Sequence, residues 1–307
     1  MPNAVCSEAD FVTLVQREGV AWTAKALGIG ERAVQRRRCR IECATGQSVR
    51  KHDTVPQWVE ISVSDGVVLI GSDAHFWPSH IPTAWHFFLR FAKEQLPRAV
   101  ILNGDMIDGA RISRHPPINW EKRPEVADEI AFVQERLREL QTATGDGVEL
   151  VWTGGNHDLR FESRLAAVAP EYAHVEGVHL KDHFDPAWKS CYAVCINDDL
   201  VVKHRFRGGA HATYNNTLHS GRPMITGHLH SLDVRSFTDY NGTRYTADCG
   251  MLADCYGPQF LYCEDNPRNW RSGFLVVTFA GGRMLRPEVV EVIGEGEVSW
   301  RGSVLQL

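Results

Sequence analysis

Three apolar, strand-like runs in this chain each end in side chains of the kinds that bind metals or transfer protons. The runs are VVLIG, AVILNG and VELVWTGG, and the residues that follow them are Asp73 and His75, Asp105 and Asp108, and Asn156, His157 and Asp158. Helix-like stretches separate the runs, which predicts βαβ units in a layered α/β domain. Because the carboxyl ends of strands in such a sheet meet at one crevice, we expect these side chains to lie close together in space.

Two further histidine groups follow other apolar runs. His204 ends the run LVVKH, and His228 and His230 follow PMITG. Successive side chains alternate on an extended chain, so an H-x-H pair points both imidazoles to one side, and the same reasoning applies to Asp73 and His75. Carboxylate, amide and imidazole groups together predict a transition-metal site rather than a calcium site, since calcium prefers all-oxygen ligands.

The blocks DAH, GDMID, GNHD, a single histidine and GHLH occur in this order between Asp73 and His230. In kind and order they resemble the motifs of the calcineurin-like metallophosphoesterase family, which are D-x-H, G-D-x-x-D, G-N-H-D or G-N-H-E, H, and G-H-x-H. One block alone is a weak signal, but five in order form a specific pattern. The resemblance implies an α/β fold, a four-layer β-sandwich flanked by helices, and hydrolysis of phosphate esters by a metal-activated water.

The fourth block departs from the most frequent family pattern, in which the histidine is followed by glycine. Here His204 is followed by Arg205, glycines come only at Gly208 and Gly209, and His211 is the nearby competitor. We assign His204 because it ends an apolar run.

Carried over by motif, the resemblance implies two divalent metal ions, with manganese as the first choice and iron or zinc as alternatives. One ion would be held by Asp73, His75, Asp105 and His230. The other would be held by Asp105, Asn156, His204 and His228, so that Asp105 bridges the two. Such a pair can clamp a phosphoryl group and lower the pKa of a bound water towards neutrality.

The family pattern also implies catalytic roles beside the metals. His157 would stabilise the transition state or protonate the leaving oxygen, as a general acid does. Asp158 would orient His157, and Asp108 would be a carboxylate that supports the metal ligands.

Two residues are candidates for binding the substrate. Arg160 is a candidate phosphate clamp, because guanidinium matches phosphate oxygens in a bidentate way; the alternative is an ion pair with Glu162 or another carboxylate. His115 lies in the loop after GDMID and is the second candidate.

Residues 10–42 read as three short helices. The last two, AWTAKAL and ERAVQRRRCRIE, resemble a helix-turn-helix unit in which Ala24, Leu27 and Val34 face inward and Gly28 permits the tight turn. The arginines of the last helix are candidates for nucleic-acid binding: Arg32, Arg36, Arg37, Arg38 and Arg40. The alternative is a helical cap or oligomerisation element with a solvated basic face.

Charge divides the chain into two parts. Residues 1–52 carry nine Lys and Arg and five Asp and Glu, whereas the remainder carries 24 and 33. Segments of opposite charge indicate separate roles. We expect a basic segment at 1–52, a linker at 53–66 and the catalytic domain at 67–307. The absence of a signal-peptide pattern and of a long apolar run predicts a cytoplasmic protein.

The tail after His230 reads YTADCGMLADCYGPQF and then EDNPRNWRSGF. Together with the helical front it resembles metallophosphoesterases encoded by bacteriophages and prophages, which implies the cytoplasm of a bacterium or of a phage-infected host.

Three functions stay open. The chain cleaves phosphate esters of nucleic acids or nucleotides, with the basic segment as a tether to the polyanion. It cleaves a small ester, such as a cyclic nucleotide or a phosphomonoester. Or it is a non-catalytic DNA-binding regulator.

Overall fold

The computed structural model describes residues 6–45, 49, 58–118, 120–266 and 268–307. The chain divides into two compact units, Met1–Pro56 and Gln57–Leu307. Of the expected linker at 53–66, residues 53–57 lie outside the described residues, while residues 58–61 form a strand of the larger unit instead of a linker. Within the described ranges, no helix is both long enough and apolar enough to cross a membrane.

The first unit is built of α1 (Glu8–Glu18), α2 (Val20–Leu27) and α3 (Glu31–Thr45). Ala24 and Val34 are buried, and Leu27 packs against the same small core, as the sequence predicted. Gly28 ends α2 with a φ of 64°, a left-handed conformation that glycine adopts without a steric penalty. The helical organisation of the segment therefore agrees with the sequence pattern.

The strands of the larger unit, numbered in chain order, form two sheets. The smaller sheet has six strands: β1 (Trp58–Ile61), β6 (Ala193–Ile196), β7 (Leu200–Lys203), β8 (Met224–Thr226), β9 (Asp233–Asp239) and β10 (Gly242–Asp248). The larger has nine: β2 (Gly66–Gly71), β3 (Ala99–Leu102), β4 (Glu149–Thr153), β5 (Trp188–Cys191), β11 (Gly273–Ala280), β12 (Arg283–Met284), β13 (Glu288–Gly294), β14 (Glu297–Trp300) and β15 (Ser303–Gln306).

Parallel pairing sets the direction of the strands that precede the polar motifs. In the larger sheet the order is β15-β14-β13-β11-β2-β3-β4-β5, with β12 paired to β11. Strands β2 to β5 are parallel neighbours, so their carboxyl ends lie at one edge. In the smaller sheet, with the order β1-β6-β7-β8-β10-β9, β7 and β8 are also parallel.

The two sheets share a core to which strands of both sheets contribute. Val68 and Ile70 of β2 enter this core together with Val194 and Val202 of the smaller sheet, whereas Leu69 lies in the core on the opposite face. Both faces of β2 are therefore buried. This explains why the strand reads as a continuous apolar run rather than as an alternating one.

Helices cover the outer faces of both sheets. They are α4 (Thr83–Gln95), α5 (Val126–Thr144), α6 (Asp158–Val168) and α7 (Ala212–Ser220). Helices α4 and α5 contribute to the core on the outer side of the larger sheet, and α7 packs against β9 and β10 of the smaller one. The layers run helix, sheet, sheet, helix, which confirms the predicted α/β sandwich flanked by helices.

Candidate metal centre

Ligand-type side chains follow five strands at one edge of the two sheets. They are Asp73 and His75 after β2, Asp105 after β3, Asn156 after β4, His204 after β7, and His228 and His230 after β8. Backbone hydrogen bonds join these loops: the N–H of Asp73 donates to the carbonyl of Gly104, and that of Gly227 to the carbonyl of His204, each at 2.9 Å. The structure thus brings all seven expected ligands into one place.

Five of the seven residues have a left-handed backbone, which is uncommon for residues other than glycine. The φ angles are 54° at Asp73, 40° at His75, 54° at Asp105, 74° at His228 and 59° at His230. The prediction that D-x-H and H-x-H converge because they lie on an extended chain is therefore wrong, since left-handed turns beyond the strand ends aim these side chains. Such conformations cost on the order of 1–3 kcal/mol each and concentrate at functional sites.

The carboxylate of Asp105 lies between two groups of histidines. Its Oδ2 is 3.1 Å from Nε2 of His204 and 3.9 Å from Nε2 of His75. Its Oδ1 accepts a hydrogen bond from the backbone N–H of His157 at 2.7 Å. Asp105 therefore occupies the position that a bridging carboxylate needs.

Asp73 faces the same space from β2. Its Oδ1 is 3.1 Å from Nε2 of His230 and 3.8 Å from Nε2 of His75. Its Oδ2 accepts hydrogen bonds from the backbone N–H of His228 at 2.8 Å and from the hydroxyl of Ser72. These bonds fix the carboxylate, so that Oδ1 remains directed at the two imidazoles.

Asn156 and His228 complete the other side of the centre. Oδ1 of Asn156 lies 3.3 Å from Nε2 of His204, and the rings of His228 and His204 are 5.4 Å apart between centroids. Among the residues that the structure describes, three triads have potential ligand atoms within 4.8 Å of one another: Asp73, His75 and His230; Asp105, His204 and His228; and His75, Asp108 and His157. The first two triads correspond to the two ligand sets expected from the motifs.

Two glycines allow the backbone to approach the carboxylates. A Cβ on Gly155 would overlap the carboxylate and the backbone nitrogen of Asp105. A Cβ on Gly227 would overlap the hydroxyl of Ser72 and lie 2.5 Å from Oδ2 of Asp73. The glycines of the GNHD and GHLH blocks are thus explained by close packing around the two central carboxylates.

The donors fit a metal ion. Nε2 of His75 is buried and has no hydrogen-bond partner among the described residues, although it faces carboxylate oxygens of Asp73 and Asp105 at 3.8 and 3.9 Å. These distances are too long for hydrogen bonds and short enough for one cation to contact both groups. The mixture of imidazole, carboxylate and amide donors suits manganese, iron or zinc.

The pKa values of the ligand-type residues show that the centre stabilises positive charge. Burial opposes a proton on His75, but the contact of its Nδ1 with Asp108 and the nearby carboxylates of Asp73 and Asp105 raise its pKa to about 10. Burial likewise opposes a proton on His204, whose pKa is raised to about 9 by the charges of Asp105 and Asp73. Despite their burial, these two carboxyls have pKa values below the usual range because the histidines stabilise their charge. Protons and metal ions therefore compete for the same groups.

Asp108 links the centre to His157. Its Oδ1 is 3.2 Å from Nδ1 of His75 and 3.3 Å from Nδ1 of His157, and its backbone carbonyl lies 2.8 Å from the same Nδ1 of His157. On the other ring nitrogen, Nη2 of Arg160 is 3.0 Å from Nε2 of His157. Three predicted residues thus form one group beside the ligands.

The alternative partner considered for Arg160 is occupied elsewhere. Glu162 lies 2.9 Å from Nδ1 of His179 and accepts from the backbone N–H of Leu180 at 3.1 Å. Arg160 instead donates to the backbone carbonyl of Asp108 at 2.8 Å. Its guanidinium is therefore held at the edge of the centre rather than in a surface ion pair with Glu162.

Asp158 has a different role from the one predicted. Its carboxylate accepts five hydrogen bonds of 2.8–3.2 Å, from the backbone N–H groups of Asp105, Met106, Ile107 and Gly155 and from the indole of Trp152. The expectation that Asp158 orients His157 is therefore corrected. Asp158 fixes the loop that carries Asp105, while Asp108 and Arg160 contact the His157 ring.

Two residues that support the ligand-bearing loops were not predicted from the sequence. The carbonyl of Asn103 accepts from Nδ1 of His204 at 2.7 Å, which leaves Nε2 of that ring free to face the centre. Asp248, at the end of β10, accepts from the backbone N–H groups of Ser231 and Gly250, and burial raises its pKa to about 7. Asn103 directly precedes the GD block and so had a usable signal, whereas Asp248 stands in no motif.

Aromatic side chains and an exposed histidine border the centre. The ring of Phe260 lies 5.3 Å from that of His75, and the ring of Trp270 lies 4.7 Å from that of His230. His115 is exposed and lines a cavity beside the group of Asp108 and His157. Its position is compatible with the predicted substrate contact.

No family model matches the chain, and no curated protein matches it. Solved structures that match include Vps29 from Chaetomium thermophilum, with 8% identity, coverage of 79% of this chain and 97% of that chain, and a TM-score of 0.40. Wild-type Vps29 from Entamoeba histolytica complexed with Zn²⁺ has 14% identity, covers 78% and 96%, and has a TM-score of 0.39. A protein serine/threonine phosphatase from Saccharomyces cerevisiae has 15% identity, covers 78% and 85%, and has a TM-score of 0.38. We therefore assign the site from the residues of this chain.

Proposed function

We propose that the chain is a phosphoesterase of the calcineurin-like metallophosphoesterase family that uses two divalent metal ions. The observation that carries this proposal is the convergence of seven ligand-type residues from five strand ends around the carboxylates of Asp73 and Asp105. The unpartnered, buried Nε2 of His75 supports it, because a buried polar atom in native structures normally has a partner.

The geometry around Asp105 supports the two ligand sets that the family resemblance implies. One ion would contact Asp73, His75, Asp105 and His230, and the other Asp105, Asn156, His204 and His228. When bound, the ions would supply positive charge to phosphoryl oxygens and lower the pKa of a bound water. Manganese is our first choice, and iron and zinc accept the same donors.

The protein groups beside the ligands would bind and orient the substrate. Arg160 offers a planar, permanently charged guanidinium to phosphoryl oxygens. His157 lies next to it and is held through Nδ1 by Asp108, so that Nε2 is the nitrogen directed at Arg160. We propose that these two residues contact the phosphoryl group and the leaving oxygen, and that Asp108 positions both.

Hydrolysis of small chromogenic esters tests the proposed function. With Mn²⁺ added, wild type should hydrolyse bis-p-nitrophenyl phosphate or p-nitrophenyl phosphate, and Asp105→Asn should abolish the turnover. His219→Ala, at an exposed position on α7, is the matched control and should retain it. If neither ester is hydrolysed with any of Mn²⁺, Fe²⁺, Zn²⁺ and Mg²⁺, the proposal is wrong.

For the substrate class we propose phosphate esters of nucleic acids or nucleotides, with the first unit as a second point of contact. Arg32 and Arg36 are exposed on α3 and have no ion-pair partner in the described part of the chain. Arg40 is also exposed, at 3.4 Å from Glu8. A basic helix face of this kind supports binding to a phosphate backbone.

Two of the five arginines predicted to bind nucleic acid are only partly exposed and have contacts within the first unit. Arg37 stacks on the ring of Phe11 at 4.4 Å and donates to the carbonyl of Cys6. Arg38 lies 3.5 Å from Glu42 and is only partly exposed. We therefore restrict the proposed nucleic-acid contact to Arg32, Arg36 and Arg40.

The second candidate function is hydrolysis of a small phosphoester, and the cavity beside His157 favours it. A non-catalytic DNA-binding regulator is less well supported, because every expected ligand is present and the His157 group is intact. The bacteriophage or prophage subgroup and the cytoplasmic location remain predictions from the sequence.

A further inference from the structure

A cavity of ≈570 Å³ opens beside the proposed centre, between the loop that follows β3 and the turn at Pro258–Cys263. Asp108, His157 and Arg160 line it, and Asp108 also contacts His75, so one part of the cavity adjoins the metal ligands. Its volume lies in the range of small-molecule sites, roughly 300–1,000 Å³. A substrate phosphate at the centre would therefore leave room for one attached group of limited size.

Arg123 builds one wall of this cavity rather than offering it a free charge. Its guanidinium donates to three backbone carbonyls between Ala110 and Pro116, each at 2.9 Å, and to Glu121 at 3.1 Å. The carboxylate of Glu121 compensates the charge of Arg123, and the bonds to the carbonyls hold the loop in a defined shape. Arg160 is then the guanidinium left to receive an anionic ligand in the cavity.

The turn at Pro258–Cys263 supplies a different kind of surface. Gln259 is 4% exposed and lines the cavity, and its amide oxygen has no hydrogen-bond partner among the described residues. Tyr262 lines the same cavity with 51% of its surface exposed. The cavity thus offers a half-exposed aromatic ring, which can stack on a planar ligand, while the amide oxygen of Gln259 is buried beneath the wall.

We infer that this cavity binds a single nucleoside unit esterified to the phosphate, with its base against Tyr262. The inference rests on the proposed function, which places the phosphate at the metal centre. A nucleobase presents a flat face for stacking on the Tyr262 ring, whereas a simple alkyl group presents none. A base-paired nucleotide would first have to leave the duplex, so nucleotides and unpaired strands are favoured over duplex DNA.

Binding of hydrolysis-resistant analogues to the Mn²⁺-loaded full chain tests the inference. The probes are 5′-phosphonates of thymidine and adenosine, in which carbon replaces the bridging oxygen, and methylphosphonate as the analogue without a nucleoside. By isothermal titration we expect the nucleoside phosphonates to bind at least about 10-fold more tightly, which is within the range measured for stacking on one aromatic ring. Tyr262→Ala should abolish this preference without changing the Kd of methylphosphonate, and Tyr262→Phe should keep it.

Tyr256→Ala is the matched control, since Tyr256 is 96% exposed in the neighbouring loop and does not line the cavity. Equal Kd values for nucleoside phosphonates and methylphosphonate would overturn the inference, as would a preference that survives Tyr262→Ala. If bis-p-nitrophenyl phosphate is hydrolysed in that case, the proposed function is retained and only the nucleoside site is rejected. If the ester is not hydrolysed and no phosphonate binds, both are wrong.

Discussion

Nη2 of Arg160 lies 3.0 Å from Nε2 of His157, and this contact sets the tautomer of the histidine. A guanidinium can only donate, so Nε2 accepts and the ring proton is on Nδ1, which lies 2.8 Å from the carbonyl of Asp108. This tautomer bears on the prediction that His157 protonates the leaving oxygen. In this arrangement Nε2 carries no proton, and Arg160 is the donor nearest to the space that a phosphoryl group would enter.

Substitution of Arg160 should therefore lower turnover strongly. We expect Arg160→Ala to reduce kcat/KM for bis-p-nitrophenyl phosphate by about 100-fold, the usual loss when a preorganised donor to a developing negative charge is removed. Arg160→Lys should give an intermediate value, because lysine keeps the charge but loses the planar fork. Steady-state kinetics with Mn²⁺ measure both.

Arg164→Ala is the control for Arg160, since Arg164 is exposed one turn further along α6. It should leave kcat/KM within about two-fold of wild type, as surface substitutions generally do. Equal activities of Arg160→Ala and Arg164→Ala would exclude Arg160 from substrate binding.

Gly155 and Gly154 form a matched pair for testing the ligand geometry. A methyl group on Gly155 would displace the carboxylate of Asp105, whereas one on Gly154 would make ordinary contact with Tyr192 at 3.6 Å. We expect Gly155→Ala to weaken Mn²⁺ binding by at least about 10-fold, as changes in groups that orient metal ligands do. Gly154→Ala should bind as wild type, and isothermal titration would show equal affinities if the packing around Asp105 were unimportant.

Glu129 should make stability depend on pH. It is 1% exposed, and burial raises its pKa to about 7 from 4.5, although the backbone N–H of Gly109 donates to it at 2.7 Å. The folded state therefore binds this proton more tightly than the unfolded state. Its contribution is most favourable below pH 4.5 and is lost as the pH rises to 7.

Glu129→Gln removes this titration and can keep the hydrogen bond from Gly109. The stability of the variant relative to wild type should therefore rise by up to about 3 kcal/mol between pH 4.5 and 8. Urea unfolding of the metal-free protein at several pH values measures the difference. Glu135→Gln, at an exposed position of α5, should show no such trend, and a pH-independent difference for Glu129→Gln would refute the prediction.

The proposed nucleic-acid contact of α3 predicts a specific salt dependence. Replacing Arg32 and Arg36 together by alanine should weaken binding to single-stranded DNA and reduce the slope of log K against log salt by about 2. Arg138→Ala, on an exposed face of α5, is the single-charge control. Fluorescence anisotropy that gives unchanged slopes for the double variant would rule out these two arginines as phosphate contacts.

Sequence patterns predicted the layers and the ligands because both depend on local regularities. The apolar runs before Asp73, Asp105 and Asn156 mark strands with two buried faces, and parallel strands bring their ends together. The aim of the ligands could not be predicted, because left-handed turns at positions such as Asp73 depend on contacts with distant loops. The function of Asp158 was missed for the same reason, since three of its five donors come from a loop 51–53 residues away in sequence.

Two residues that line the cavity could not be predicted from the sequence for another reason. Gln259 and Tyr262 stand in a loop without periodicity, where no local pattern indicates which side chains face the site. Likewise, the packing of Arg37 on Phe11 joins α3 to α1 and leaves no trace in a run of arginines. Tertiary contacts of this kind are visible only in the folded chain.

The most direct test of the central claim is the number of Mn²⁺ ions that the metal-free protein binds, counted by electron paramagnetic resonance of the free ion. We expect two tightly bound ions per chain in wild type and in His219→Ala, and a marked loss of both in Asp105→Asn, because this carboxylate faces both ligand sets. One bound ion or none in wild type, or unchanged binding in Asp105→Asn, would contradict a dinuclear centre bridged by Asp105.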